Sequence, residues 1–215
     1  MDLWVFDNDG TLYDDRLAHL EFAKQLSWYL AWRLGLWQEE EQASLLKRIK
    51  LVYQTSSSVI ALKYELDCAI KEVIEETYMR LDLDSCQIPK EDSKRYNALA
   101  QIKGRKVVLT NNPSAFARKV LNRVGLAAHF DDIVGMEETG LILKPDPEAF
   151  IAVMRRHPDA TRVFLCDDSL ENLDAAVALG WKTVWYQPDR DIDQGDRTHL
   201  VAHSFEEVAR IAILM

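Results

Sequence analysis

Short apolar runs and long amphipathic stretches divide this chain into two kinds of segment. Leu3-Trp4-Val5-Phe6 is bulky, has no polar alternation and stops at Asp7-Asn8-Asp9-Gly10. That pattern predicts a strand buried on both faces, with Gly10 providing a sharp exit. Residues 16 to 34 then carry Leu17, Leu20, Phe22, Ala23, Leu26, Tyr29, Leu30 and Trp32 at helical spacing, and Gly35 ends the pattern. Glu39 to Tyr53 reads as a second helix, acidic at its start and basic toward its end, which suits the helix dipole. Val59 to Tyr64 and Asp67 to Arg80 read as further helices, after a polar Thr55-Ser56-Ser57-Ser58 connector. Residues 15–87 are therefore expected to form a wholly helical domain inserted directly after the first strand. Its aromatics, Phe22, Trp28, Tyr29, Trp32, Trp37, Tyr53 and Tyr64, are expected to be its own core. The other reading is that one or two of them face a cleft and stack on a ring of the substrate.

Residues 1–14 and 88–215 make up the second domain. Asp92 to Ile102 reads as a helix closed by Gly104, and Lys106 to Leu109 as a strand. Pro113 is placed as a first-turn residue of a helix that continues from Ala115 to Val124, before Gly125. Ile133-Val134 is a short strand, and Leu141-Ile142-Leu143 is a strand-like run leading to Lys144-Pro145-Asp146-Pro147. Asp146 and Pro147 fit the N-cap and first position of a helix that stops at His157-Pro158. Val163 to Cys166 is the next strand, Ser169 to Leu179 a helix, and Thr183 to Tyr186 the last strand. Gln187 to His199 reads as a charged, acidic loop, and Ser204-Phe205-Glu206-Glu207 as a capping box ahead of a final helix. Alternation of strand and helix from 104 to 186 predicts right-handed crossovers on a parallel sheet, an α/β, Rossmann-like core.

A length of 215 residues suits one good-sized domain, or a core with an insertion. A net charge of −9 disfavours a nucleic-acid polymer as partner. The basic pairs Arg155-Arg156 and Lys47-Arg48 read as helix surface. Cys68, Cys86 and Cys166 are odd in number and lack metal spacing, which points to a reducing compartment. No basic, apolar leader and no bilayer-length apolar run is visible. A cytoplasmic monomer or homodimer with no membrane partner is the expectation.

The chemistry begins at the end of the first strand. Asp7 and Asp9 lie where ligands sit in an open α/β sheet, beyond the carboxyl ends of strands. Carboxylates this close repel, and one is pushed toward neutrality unless a cation holds both. Taken alone, Asp7-Asn8-Asp9-Gly10 has a second reading, an acidic turn that merely caps a strand. Three further pieces follow apolar runs in order: Thr110-Asn111-Asn112, Lys144-Pro145-Asp146-Pro147 and Asp167-Asp168-Ser169. With them the sequence resembles the haloacid dehalogenase (HAD) superfamily of phosphatases, whose four motifs are an aspartate-x-aspartate opening, a Ser/Thr ending a strand, a lysine and a late acidic pair.

The resemblance implies a phosphomonoesterase. Asp7 would be the nucleophile that becomes an aspartyl-phosphate. Asp9 would give the leaving group its proton and later activate water, its carbonyl oxygen also binding the metal. Asp168 would be the direct metal ligand, and Asp167 a second ligand or one acting through water. Asp7, Asp9, Asp167 and Asp168 offer only oxygen, which argues for Mg²⁺ rather than zinc. Thr110, Lys144 and, less directly, Asn111 would bind the substrate phosphate. Asn172 and Asp174 either buttress the metal site or face solvent. The carbon–halogen-cleaving branch keeps the first aspartate but lacks the second and the acidic metal site. The helical insertion is similar to the first-type (C1) cap, which closes over small soluble substrates. Thr11-Leu12-Tyr13, Leu34-Gly35-Leu36, Glu39-Glu40-Glu41 and the Tyr53 to Leu62 segment look like the pyrimidine 5′-nucleotidase branch. That branch usually has Asn where this chain has Gly10, which leaves room for a phosphoglycolate or sugar-phosphate substrate. A non-catalytic binding protein on the same fold is the reading from a different class.

Overall fold

The structure, a computed structural model, describes residues 1–188 and 198–215. Of the acidic loop expected over Gln187 to His199, residues 189–197 lie outside the described residues. The chain divides into two compact units, Met1–Asp14 with Ile88–Met215, and Asp15–Gln87.

The first strand, β1 (Asp2–Phe6), leads into the helical unit: α1 (Arg16–Leu34), α2 (Glu39–Val52), α3 (Ser58–Glu65), α4 (Ile70–Glu76) and a 3₁₀ turn at Tyr78–Arg80. Gly35 takes a left-handed φ of 69° and closes α1, and Ser57 caps α3 by accepting from the Ile60 amide. The single helix expected over Asp67 to Arg80 is broken. Asp67 sits at φ 46° and α4 starts only at Ile70. At its end the Thr77 hydroxyl joins the Thr77 amide on the Val73 carbonyl, at 2.6 and 3.1 Å, where the backbone leaves helical geometry at φ −117°, ψ −84°. The aromatic core expected here is also corrected. Tyr29 is buried, whereas Trp28, Trp32 and Trp37 are 61, 59 and 71% exposed and Tyr64 is exposed too. A helix apolar on most sides can bury only one, and α1 buries Ala18, Leu26, Tyr29 and Leu30.

The other unit runs α5 (Ser93–Gln101), β2 (Arg105–Leu109), α6 (Ser114–Arg123), β3 (Asp132–Val134), α7 (Pro147–Arg156), β4 (Arg162–Asp167), α8 (Leu170–Ala178), β5 (Lys182–Tyr186), β6 (Leu200–Ala202) and α9 (Phe205–Leu214). Its strands form one parallel sheet in the order β3-β2-β1-β4-β5-β6. This is the Rossmann-like α/β fold the alternation predicts. β1 is central because both its faces are apolar. Leu3 and Val5 pack with Val107, Leu109, Phe150, Val153 and Leu173 under α7 and α8. On the opposite face Trp4 stacks on Phe164, ring centroids 4.5 Å apart, and Phe6 meets Phe205 of α9. Each such buried side chain stabilises the fold by about 1.5–3 kcal/mol.

Three further expectations are corrected. Leu141-Ile142-Leu143 is a loop, since Leu141 has φ 69° and folds its amide back onto the Met136 carbonyl. Pro113 stands one residue ahead of α6 with an extended ψ of 136°, not in its first turn. The capping box is half-formed: Ser204 Oγ accepts from the Glu207 amide, but Glu207 accepts from the His203 amide rather than that of Ser204. The three-residue strand β6 was too short to show in the pattern. Among the described residues, no helix is long and apolar enough to cross a membrane.

Candidate active site

The sheet order reverses beside β1, and the strand ends there collect the reactive groups. Asp7 follows β1, its amide still bonded to the Cys166 carbonyl of β4 at 2.9 Å. Asp167 ends β4 and Asp168 follows it. Oxygens of Asp7, Asp167 and Asp168 all lie within 4.8 Å of one another. Lys144 reaches the same point from the loop ahead of α7. Its Nζ is 2.8 Å from Asp7 Oδ1 and 2.8 Å from Asp167 Oδ2. All three partners are buried, Asp167 and the lysine almost completely.

Charge in this pocket is unbalanced. Burial pushes the Asp7 carboxyl well above the ordinary carboxylate range; Lys144 opposes this, and Asp167 and Asp9 add to it. Burial works to lower the Lys144 pKa, yet the Asp167 and Asp7 carboxylates together hold it above the usual lysine value. One ammonium does not neutralise three carboxylates. An oxygen-only donor set with surplus negative charge fits a hard divalent cation. Burial, with Asp167 and Asp7 behind it, also drives the Cys166 thiol far up, so this cysteine is packing and not a nucleophile.

The carboxylates differ in what already holds them. Asp167 Oδ1 accepts from the Ser169 amide and Asn172 Nδ2, and its Oδ2 from Lys144 Nζ and the same Asn172 nitrogen, all at 2.8–3.1 Å. Its lone pairs are thus spent on protein donors. Asp168 is exposed, takes a 3.3 Å bond from the Thr11 hydroxyl, and has its backbone fixed by Trp185 Nε1 donating to its carbonyl at 3.0 Å. Gly10, at φ 74°, lets the Asp168 carboxylate come close: a Cβ there would lie 2.4 Å from Oδ2.

A family model for haloacid dehalogenase-like hydrolases matches residues 1–180. The chain belongs to this family of hydrolases. A comparison with curated proteins returns no match. Among solved structures, the chain is similar to a HAD phosphatase from Thermococcus onnurineus (21% identity, 98% of this chain and 97% of the other, TM-score 0.65). It is also similar to a 2-haloacid dehalogenase from Pseudomonas syringae pv. Tomato DC3000 (21%, 100% and 99%, TM-score 0.67). A third is the HAD-hydrolase YfnB from Bacillus subtilis bound to magnesium (21%, 98% and 98%, TM-score 0.59). At these identities the likeness speaks to the fold, and it spans both a phosphatase and a dehalogenase.

Within this HAD hydrolase, the residues singled out in the sequence take distinct places. Asp9 stands outside the three-acid group, its carboxylate held by other partners. It accepts from Tyr13 Oη at 2.5 Å and Asn112 Nδ2 at 2.7 Å on Oδ1, and from Thr110 Oγ1 at 2.9 Å on Oδ2. The single hydroxyl hydrogen of Thr110 is thereby committed to Asp9, not to a phosphate. Asn111 clamps the Lys144 backbone, donating to its carbonyl at 3.0 Å and accepting from its amide at 2.7 Å. It thereby holds the backbone of the lysine in place. Asn172 buttresses Asp167, while Asp174 turns to His199 at 3.2 Å. Sequence reasoning missed Tyr13, Asn112 and Asn8. The four-residue spacing of Asp9 and Tyr13 and the doubled Asn111-Asn112 were the available signals. Asn8 is fully buried with neither amide atom bonded, and nothing in the pattern announced that.

Proposed function

We propose that this chain is a Mg²⁺-dependent phosphomonoesterase acting on a small phosphate ester through an aspartyl-phosphate. The observation that carries the reading is the gathering of Asp7, Asp167 and Asp168 within 4.8 Å, two of them bonded to buried Lys144. A divalent ion held by Asp168, Asp7 and the Asp9 carbonyl would shield one anion from another as they approach. An Asp7 carboxylate oxygen attacks phosphorus and the bond to the leaving oxygen breaks. Asp9 gives that oxygen its proton, then takes one from the water that attacks the aspartyl-phosphate and frees phosphate. Lys144 works against the burial that disfavours the ionised Asp7 and adds positive charge beside the transferring group. Thr110 must turn its hydroxyl from Asp9 to donate to a phosphate oxygen. Halide displacement is disfavoured, because Asp9 and the Asp167–Asp168 pair are present where the resemblance expects that branch to lack them.

Substrate selection we assign to the helical unit, residues 15–87. A nucleoside 5′-monophosphate remains the first candidate substrate. Gly10, where the nucleotidase branch usually has asparagine, keeps phosphoglycolate or a sugar phosphate as the second candidate. A panel of phosphate esters and one 2-haloacid, with and without Mg²⁺, tests the reading. Phosphate release that requires Mg²⁺ and vanishes in Asp7→Asn, with the fold intact by circular dichroism, is the expected result. Equal turnover in Asp7→Asn removes Asp7 as nucleophile. Halide release without phosphate release overturns the reading, and no release of either favours a binding protein.

A further inference from the structure

The clasp around Asp9 assigns work to two residues outside the four motifs. We infer that Tyr13 and Asn112 are positioning residues for Asp9, aiming its carboxylate at the leaving oxygen; the inference rests on the phosphatase reading. Tyr13 is 3% exposed, and a buried phenol requires a partner for its hydroxyl. That partner is Asp9 Oδ1, at 2.5 Å. The turn after β1 delivers it: the Leu12 amide bonds to the Asn8 carbonyl at 2.9 Å, and Gly10 supplies the left-handed step that returns the chain to Asp9.

Asn112 arrives from the other side of the sheet centre. Its Nδ2 meets the same Asp9 oxygen at 2.7 Å. Its backbone is held independently, the amide donating to Thr110 Oγ1 at 3.0 Å and the carbonyl accepting from the Met136 amide at 3.1 Å. Gly135 allows this packing, since a Cβ there would lie 2.8 Å from the Asn112 carbonyl. Two donors on Oδ1 and one on Oδ2 fix both the position and the plane of the carboxylate. A proton-transfer group gains from such fixing only when the proton must be delivered in the rate-determining step. An alkoxide leaving group needs that proton, and a weakly basic phenolate does not.

The test compares kcat/KM on glycerol phosphate and on 4-nitrophenyl phosphate for wild type, Tyr13→Phe and Asn112→Ala, each with Mg²⁺. Both variants are expected to lose tenfold or more on glycerol phosphate and less than threefold on 4-nitrophenyl phosphate, with KM changed less than twofold. Parallel losses on the two esters, or none on either, overturn the inference while leaving the phosphatase reading standing. A wild-type protein silent on every ester overturns that reading and the inference with it. Tyr13→Phe keeps the ring and removes one oxygen; should it fail to fold, Asn112→Ala gives the same comparison.

Discussion

Single residues at this site show how much a side chain's surroundings decide its role. Lys144 was legible as a motif lysine, but its grip on two carboxylates was not, because contacts between residues 7, 144 and 167 depend on the folded sheet. Removing one partner of a buried ionic group strands the other charges. Lys144→Met is therefore expected to lower unfolding free energy by about 3–5 kcal/mol in metal-free protein. Urea denaturation checks this, and an unchanged midpoint would refute it. Asn8 presents the opposite case. It lies between two site aspartates, fully buried, with no hydrogen bond from either amide atom. A stranded polar group costs about 1–3 kcal/mol. Asn8→Leu should raise the melting temperature by a few degrees, given about 2–4 °C per kcal/mol at this size. A fall instead would mean that the amide is satisfied by buried water.

Elements were most legible where two signals agreed. β1 was readable because an apolar run met an acidic turn, and α7 because Asp146 and Pro147 mark its start and the Asp146 carboxylate accepts from the Glu148 amide. Legibility failed where one signal stood alone. Leu141-Ile142-Leu143 is apolar like a strand, yet the Asn111 clamp on Lys144 and the left-handed Leu141 make it a loop. Helical spacing located α1, but spacing cannot say which side of a mostly apolar helix finds cover, so Trp28 and Trp32 were misplaced. At the sheet edge, Arg156 of α7 forks onto Asp132 of β3 through Nε at 2.7 Å and Nη2 at 2.9 Å. The hydrogen bonds from Arg156 hold the Asp132 carboxyl below its ordinary value, against its burial. A depressed carboxyl contributes stability that is present above its unfolded pKa and lost as the pH falls through the folded value. The arginine side chain is 43% exposed, so solvent screening keeps the contribution to about 0.5–1 kcal/mol. Arg156→Gln should cost that much near neutral pH and progressively less below about pH 4. A stability difference that does not shrink in acid would contradict the pairing.

At the scale of the whole molecule, the sequence distances are large and the physical ones small. Residues 7, 144 and 168 come together because β1 is the middle strand and β4 its neighbour, so separate strand ends share one rim. The order of the motifs was readable; their convergence required the parallel topology, which strand–helix alternation supplied. The helical unit, residues 15–87, interrupts the core between β1 and α5 without disturbing that sheet. Convergence of three acids is costly without a cation, since burial already raises the Asp7 pKa. A cation that binds only the folded chain therefore acts as a stabiliser by mass action. At a Mg²⁺ concentration about 100 times its dissociation constant, unfolding should be about 2.7 kcal/mol less favourable. The melting temperature is expected to climb with Mg²⁺ in wild type. It should stay flat in Asp168→Asn, where the exposed carboxylate has become a neutral amide while the buried Lys144 contacts are left intact. A thermal melt over a magnesium series decides it: parallel rises in both proteins would place the ion elsewhere, and no rise in either would leave the acid cluster to Lys144 alone.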